Sequence, residues 1–211
     1  MKKNNNSFIW LIAGIGVVIA VGAILAITST SKNNETSGDK TTEISEISEV
    51  SVSGEALPEY APGGNDPAVG KIAPVLDGVG FAGNQITTKS DSPTLVVFLA
   101  HWCPHCQREV PQLVKWFKDG NGSSIDIVAV ATATDPSSPN YPPSSWLARE
   151  EWPALWPVMV DDKDGSASKA YGLSGFPYFV LLDGEGRVKL RHSGEIETAV
   201  LEQAISEALS K

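Results

Sequence analysis

Short apolar runs alternate with stretches of helical periodicity from residue 70 to the C-terminus. Runs of consecutive apolar residues predict buried strands, whereas apolar positions spaced three and four apart predict amphipathic helices. The predicted strands are residues 95–99, 125–131, 156–160, 178–182 and 188–192, and the predicted helices are 104–118, 145–151, 166–171 and 195–210. The first helix is predicted to bury Val110, Leu113, Val114 and Phe117, and the last to bury Val200, Leu201, Ala204, Ile205, Ala208 and Leu209.

The order of these elements predicts an α/β fold. Helices between buried strands imply parallel pairing, because a parallel connection needs a crossover. The sequence Asp183-Gly184-Glu185-Gly186 between the last two strands is typical of a turn, so those strands should form an antiparallel hairpin. We therefore expect a three-layer α/β/α sandwich with a mixed sheet over residues 69–211.

The N-terminus contains a longer apolar run that no other part of the chain resembles. Residues 8–27 carry no charge and follow Lys2 and Lys3. Twenty helical residues span about 30 Å, the thickness of a bilayer's hydrocarbon core. We expect residues 1–28 to form an uncleaved transmembrane signal-anchor, with its basic end in the cytoplasm and the remaining chain on the extracytoplasmic side. The alternative is a cleaved signal peptide, for which Ile24-Leu25-Ala26 is a poor match to a cleavage site.

Residues 29–68 are rich in Ser, Thr, Asn and Glu, and we predict a flexible acidic tether there.

The whole chain of 211 residues has a net charge of −9, which argues against nucleic acid as a partner. Its two cysteines exclude a disulfide-rich scaffold and a four-cysteine zinc site.

Those two cysteines lie three residues apart, where a predicted strand gives way to a predicted helix. Cys103 should lie at the helix N-terminus, where free N–H groups and the helix dipole stabilise a thiolate. Pro104 suits the first helical turn, and His105, if protonated, adds to that stabilisation. Cys106 lies one turn further on, within reach of Cys103. The pair is therefore predicted to be a reversible dithiol–disulfide couple, with no other cofactor and no metal.

Three other interpretations of the motif stay open at this stage. A structural disulfide that closes so short a loop would stabilise the fold little. Metal binding would use the two cysteines with His101 and His105, or with a distant His192 as a copper ligand. A peroxidase would need one cysteine activated by nearby Thr and Arg, and Ala100 stands three residues before the first cysteine.

The surrounding residues resemble a known family. Trp-Cys-x-x-Cys after a strand, Pro111 five residues beyond the second cysteine, and Gly175-Phe176-Pro177 before a late strand are similar to the thioredoxin fold. The run Cys-x-x-Cys-x-x-Glu-x-Pro more narrowly resembles the TlpA/ResA branch of exported, membrane-anchored thiol–disulfide oxidoreductases. The stretch 121–171 fits the extra helix and strand of that branch.

The resemblance implies roles for individual residues. It implies that Cys103 is the attacking thiol and Cys106 the resolving thiol. It implies a cis peptide at Pro177, with the Phe176 backbone presented to an extended peptide substrate. Trp102 would cover the disulfide and contact substrates. Glu109 would either influence the acidity of the thiols or lie solvated at the surface. Pro111 would kink the active-site helix.

The chain also departs from the family pattern. Val97 stands where thioredoxins have a buried Asp, and the Pro104-His105 dipeptide is that of the oxidising DsbA type. The direction of exchange is therefore open between reduction, for instance in cytochrome c maturation, and oxidation of exported proteins. The expected partners are thiols or disulfides of exported proteins and a membrane electron donor or acceptor, for a monomeric enzyme. The other candidate is a copper- or haem-handling binding protein. Core packing is expected for Trp146, Trp152 and Trp156.

Overall fold

The computed structural model describes residues 45–210. Its strands are β1 (Ser51–Ser53), β2 (Val75–Val79), β3 (Gln85–Thr87), β4 (Thr94–Leu99), β5 (Asp126–Ala131), β6 (Val158–Val160), β7 (Tyr178–Leu182) and β8 (Val188–Ser193). Its helices are α1 (Pro104–Lys118), α2 (Pro143–Arg149), α3 (Ser166–Ala170) and α4 (Thr198–Leu209). The elements predicted from residue 95 onward are all present, and α1 has the predicted bounds.

A five-stranded mixed sheet forms the middle of the fold, in the order β6-β5-β4-β7-β8. The strands β4, β5 and β6 are parallel, whereas β7 pairs antiparallel with both β4 and β8. Every residue of β4 is buried, because alternate side chains enter separate apolar clusters on the two faces of the sheet. Leu95, Val97 and Leu99 pack with α1 and α4, and Val96 and Phe98 pack with α3. The expected three-layer arrangement and mixed sheet are confirmed.

Several predicted helix faces differ in detail. On α1, Trp116 is buried, whereas the predicted Phe117 is only half-buried. On α4, Leu201, Ile205 and Ala208 are buried as predicted, but Val200 and Leu209 are 51% and 44% exposed. The helix begins at Thr198 because residues 194–197 form a loop against α1. The tryptophans of the 121–171 stretch pack into the core: Trp146 and Trp156 are buried, and Trp152 packs against them.

A second sheet, absent from the sequence-based prediction, consists of β1, β2 and β3 paired antiparallel. It extends the fold toward the N-terminus, since β1 lies within the stretch predicted to be a flexible tether. The prediction of a tether is therefore wrong for residues 45–68, which pack along the domain. We call residues 45–68 the N-terminal arm.

The N-terminal arm is held by backbone hydrogen bonds and by a buried ion pair between Asp66 and Arg191. The Leu57 N–H donates to the Ala170 carbonyl at 2.8 Å, and the Tyr60 N–H donates to Gly172 at 2.9 Å. The approach at Gly172 is so close that a Cβ there would lie 2.2 Å from the Pro58 carbonyl oxygen, and its φ of +69° also favours glycine. Because these contacts fix the arm to the sheet's α3 face, the folded part begins well before residue 69.

Among residues 45–210, no helix is long and apolar enough to cross a membrane. The anchor predicted for residues 8–27 and the first part of the predicted tether lie outside the described residues.

Candidate active site

Four segments meet at one edge of the central sheet, where the parallel strands have their carboxyl ends. They are the turn from β4 into α1, the loop after β5, the residues just before β7, and the loop after β8. Loops at this edge are the usual location of functional sites in open α/β sheets. All the site residues predicted from the sequence lie in or beside these segments.

Cys103 is the N-cap residue of α1, and Pro104 begins the helix. The Cys103 N–H donates to the Ala100 carbonyl at 3.0 Å, which closes the turn after β4. Cys103 keeps 6% of its surface exposed, whereas Cys106 is fully buried one turn along the helix. Both thiols are free in this structure. The difference in exposure makes Cys103 the sulfur that an external disulfide can reach first.

Burial raises the pKa of the Cys106 thiol, and negative charge at Cys103 and Glu109 raises it further. A thiol in this environment stays protonated at neutral pH unless a nearby base accepts its proton. Any reaction in which Cys106 attacks as a thiolate therefore requires such a base.

Glu109 is a candidate for that base. It lies three residues after Cys106 on α1, a spacing that places two side chains on one face of a helix. Its side chain is fully buried, so the alternative of a solvated surface carboxylate is wrong. The Ile196 N–H donates to Oε2 at 3.3 Å, and Oε1 has no hydrogen-bond partner among residues 45–210. Burial raises the pKa of Glu109 to about 7, so the group takes up and releases a proton near neutral pH.

The Phe176–Pro177 peptide is cis, as the resemblance implied. The Phe176 carbonyl oxygen lies 3.9 Å from the Cys103 sulfur. Trp102 packs edge-on against Phe176, with ring centroids 5.8 Å apart, and its indole N–H donates to the Ala133 carbonyl at 2.8 Å. Both aromatic side chains are partly exposed and flank the reachable sulfur. A second cis peptide, Tyr141–Pro142, lies in the loop after β5 and was not anticipated.

His101 is buried and has both ring nitrogens engaged. Its Nδ1 lies 2.7 Å from the Pro139 carbonyl oxygen, and its Nε2 lies 3.2 Å from the backbone nitrogen of Asp135. The carbonyl needs a donor and the N–H needs an acceptor, so these contacts fit a neutral imidazole protonated on Nδ1. His101 therefore braces the loop after β5, and its nitrogens are not available to a metal ion.

His192, the distant residue considered as a copper ligand, also has a ring nitrogen in contact with the backbone. His192 has Nε2 2.9 Å from the Glu195 carbonyl oxygen, at the end of β8. Within the described part of the chain, no group of three His, Cys, Asp or Glu side chains is arranged to hold a metal ion.

His105 takes part in a charged contact that the sequence did not predict. Its Nδ1 lies 2.7 Å from Oε1 of Glu195 and 2.8 Å from Nη2 of Arg108. Arg108 in turn donates to the same carboxylate oxygen through Nε at 3.0 Å and Nη2 at 2.5 Å. Hydrogen bonds from Arg108 and then from His105 lower the pKa of Glu195. Glu195 lies 87 residues from Arg108, so no local sequence signal pointed to it.

Comparisons with known proteins give the family of the chain. A family model described as Redoxin matches residues 54–208. The thiol:disulfide interchange protein DsbE of Yersinia pestis is 28% identical over 142 residues, which cover 65% of this chain and 70% of that protein. The thiol–disulfide oxidoreductase ResA of Bacillus thuringiensis subsp. konkukian is 26% identical over 138 residues, covering 64% and 75%. The match to nucleoredoxin of Danio rerio, at 28% identity, covers 60% of this chain but only 30% of that longer protein.

Solved structures show the same likeness. A putative thiol:disulfide interchange protein DsbE from Chlorobium tepidum aligns with a TM-score of 0.55 at 27% identity, covering 67% of this chain and 98% of the other. StoA from Bacillus subtilis aligns with a TM-score of 0.52 at 21% identity, covering 65% and 98%, which supports the fold. Because the family model covers well over half of the sequence, the chain belongs to the Redoxin family and is a thiol–disulfide oxidoreductase.

Proposed function

We propose that the Cys103–Cys106 couple reduces disulfides in exported proteins, on the extracytoplasmic side of a membrane in which residues 8–27 anchor the chain. One observation carries this proposal: a reachable sulfur at the N-terminus of α1 lies beside the Phe176 carbonyl, with a buried thiol and a buried carboxyl behind it. This arrangement suits a nucleophile that meets the substrate and a resolving thiol that is kept from it.

The first step is attack by the Cys103 thiolate on one sulfur of a substrate disulfide. A mixed disulfide forms with Cys103, and the other substrate sulfur leaves as a thiolate. The helix N-terminus stabilises the attacking thiolate. An extended substrate segment passes along the Phe176 backbone and packs on the exposed faces of Trp102 and Phe176.

The second step is attack by Cys106 on the Cys103 sulfur. Glu109 accepts the Cys106 proton as the new bond forms, which offsets the high pKa of the buried thiol. The second substrate sulfur leaves as a thiol or thiolate, and the Cys103–Cys106 disulfide remains. Two electrons have then passed to the substrate, and a membrane electron donor must return the couple to its reduced form.

The charges around the couple favour reduction over oxidation. A strong oxidant of this fold stabilises its reduced form through the thiolate. Here a buried carboxyl lies beside Cys106, and the imidazole of His105 is engaged by the Glu195 carboxylate. Both features limit the stabilisation of a thiolate, so the Pro104-His105 dipeptide does not by itself make an oxidant. The engaged nitrogens of His101 likewise favour exchange over metal or haem handling.

The proposal predicts a reduction potential below about −220 mV for the Cys103–Cys106 couple, the range of reducing members of this fold. Equilibration of the full chain with glutathione buffers, followed by alkylation and mass measurement, gives the value. A potential near −120 mV would contradict the reducing direction.

The mechanism also predicts opposite behaviour for the two cysteines. Cys103→Ser should abolish reduction of insulin disulfides, whereas Cys106→Ser should accumulate a mixed disulfide that dithiothreitol releases. Turnover that persists in both variants would exclude the proposed roles.

A further inference from the structure

A small ionic cluster lies on the surface of the active-site helix, outside the two steps described above. We call it the Glu195 cluster: it consists of His105 and Arg108 from α1 and Glu195 from the loop after β8. All three side chains meet at one carboxylate oxygen, Oε1 of Glu195, at distances between 2.5 and 3.0 Å. The side chain of Glu195 is 33% exposed, and those of His105 and Arg108 are 59% and 54% exposed.

The cluster is close enough to the redox couple to influence it. His105 lies between the two cysteines in the sequence and within the first turn of α1. The pKa of Arg108 is raised chiefly by its hydrogen bond to Glu195, and the negative charge of Cys103 contributes to the same shift. Interaction between two charges is mutual, so the Arg108 guanidinium stabilises a thiolate at Cys103 to the same extent.

Nδ1 of His105 cannot satisfy both of its neighbours in the same way. With a proton, Nδ1 donates to Glu195; without one, it accepts from Arg108. The Glu195 carboxylate favours the first arrangement and draws the positive charge of the imidazole toward itself. The Arg108 guanidinium and the protonated form of His105 are therefore both turned toward Glu195, and each has less effect on the Cys103 sulfur.

We propose that Glu195 is a positioning residue that sets the reduction potential of the Cys103–Cys106 couple by holding His105 and Arg108 in an ion-paired arrangement. This inference rests on the proposed function of the same couple and extends it. Without the carboxylate, Arg108, together with His105 whenever its imidazole is protonated, presents uncompensated positive charge near Cys103, which stabilises the thiolate and hence the reduced form. Glu195 thus keeps a chain with the Pro104-His105 dipeptide in the reducing range.

The loop after β8 also contacts α1 through its backbone. The residue after Glu195 is Ile196, whose N–H donates to the buried Glu109 carboxylate. Other ionisable groups near the cluster are His192, which contacts the Glu195 carbonyl, and Glu109 itself. A side-chain substitution at Glu195 leaves both backbone contacts in place, so it tests the carboxylate separately from the loop.

The decisive variant is Glu195→Gln in the full chain, compared by equilibration with glutathione. We expect the equilibrium constant to shift about tenfold toward the reduced couple, which makes the potential roughly 30 mV less negative. The pH profile of Cys103 alkylation should also move to lower pH. Glu195→Asp keeps the charge and should restore most of the parent potential. Glu185→Gln is the matched control, since it removes an exposed carboxylate paired with Arg187 in the β7–β8 turn, at the other end of β7.

A double variant shows whether the effect passes through the imidazole. In a His105→Ala background, Glu195→Gln should shift the equilibrium constant by clearly less than it does in the parent. A parent-like potential and alkylation profile in Glu195→Gln, accompanied only by a lower melting temperature, would overturn the proposal. These measurements use glutathione as the redox partner, so their outcome does not depend on the reduction of exported substrates. The proposed role of Glu195 can therefore fail while the Cys103→Ser assay still supports the proposed function, and the reverse.

Discussion

Glu109 illustrates how burial changes the role of a single side chain. Among residues 45–210 its carboxyl has one hydrogen bond, from the Ile196 N–H, and the side chain is fully buried three residues after Cys106 on α1. Burial without full hydrogen bonding disfavours the charged form, which places the pKa near 7 in place of the ordinary 4.5. A group with that pKa is suited to proton transfer at neutral pH, and it also makes the fold sensitive to pH.

We predict that Glu109→Gln stabilises the fold at high pH. Because the folded-state pKa is raised, the folded protein holds this proton more tightly than the unfolded chain, and stability falls as the pH rises from about 4.5 to about 7. A neutral Gln removes that loss, so the variant should gain about 2 kcal/mol at pH 8 and little at pH 4. Urea unfolding at both pH values measures the difference. Glu207→Gln, an exposed site on α4, should change neither value.

The same substitution should slow the resolving step. A glutamine cannot accept the Cys106 proton, so the decay of the mixed disulfide should fall roughly 10²-fold at pH 7 and lose its inflection near that pH. Stopped-flow measurement after substrate mixing follows the decay directly. An unchanged pH profile would show that another base serves Cys106.

For single residues, the sequence allowed the cysteines of the candidate site to be predicted, but not all of the side chains that contact them or their neighbours. The spacing of the two cysteines pointed to a dithiol–disulfide couple, and the resemblance carried by the neighbouring residues implied the cis peptide before Pro177, which the structure contains. Glu195 could not be predicted, since it meets His105 only after β8 returns to the active-site edge. Whether Glu109 was buried also depended on a distant segment, the loop containing Ile196.

The N-terminal arm is the element that most changes the predicted domain. Its Asp66 forms a bidentate ion pair with Arg191 of β8, with Nε–Oδ2 at 2.8 Å and Nη2–Oδ1 at 2.5 Å. The Arg191 side chain is fully buried, and it also donates to the Pro58 carbonyl at 2.7 Å. One guanidinium therefore joins two points of the arm to the central sheet.

We predict that Asp66→Asn destabilises the fold by about 3 kcal/mol, because it leaves a buried guanidinium without a counter-charge. The hydrogen bond from Arg191 holds the pKa of Asp66 below its ordinary value. The ion pair is therefore complete above the unfolded-state pKa and is lost as the pH falls through the lower, folded-state value. Thermal unfolding at pH 7 should show the full difference, and Glu55→Gln in the exposed part of the arm should show almost none. Equal stabilities of the parent and Asp66→Asn would mean that the arm contributes little.

Some elements were predicted from the sequence and others were not, and the difference has a physical reason. The helix α1 and the strands β4 and β7 have strong local patterns, because their apolar positions are buried against several neighbours. The strands β1 and β3 are three residues each, and all of β1 is exposed. Such strands are stabilised by pairing with β2, so their own sequences contain little signal. Charge and polarity in the arm were typical of a linker, although its backbone bonds and Asp66 fix it in place.

At the scale of the whole molecule, the chain combines the proposed Cys103–Cys106 couple with an apolar N-terminal run. It has two cysteines, so each disulfide exchange at the couple must involve another molecule. The domain includes residues 45–68 as well as those after 69, which leaves a shorter stretch than expected between the predicted anchor and the folded part.

We predict that the full chain is retained in the membrane with the couple on the extracytoplasmic side. Twenty uncharged residues suffice to cross the hydrocarbon core, and Lys2 and Lys3 favour a cytoplasmic N-terminus. The protein should therefore stay with membranes after a carbonate wash, and its intact mass should include residues 1–26. In spheroplasts, a membrane-impermeant thiol reagent should label the reduced couple at Cys103, whereas Cys103→Ser should remain largely unlabelled because Cys106 is buried. Recovery of a soluble protein that lacks residues 1–26 would exclude the anchor, while the glutathione and insulin measurements on the couple would retain their meaning.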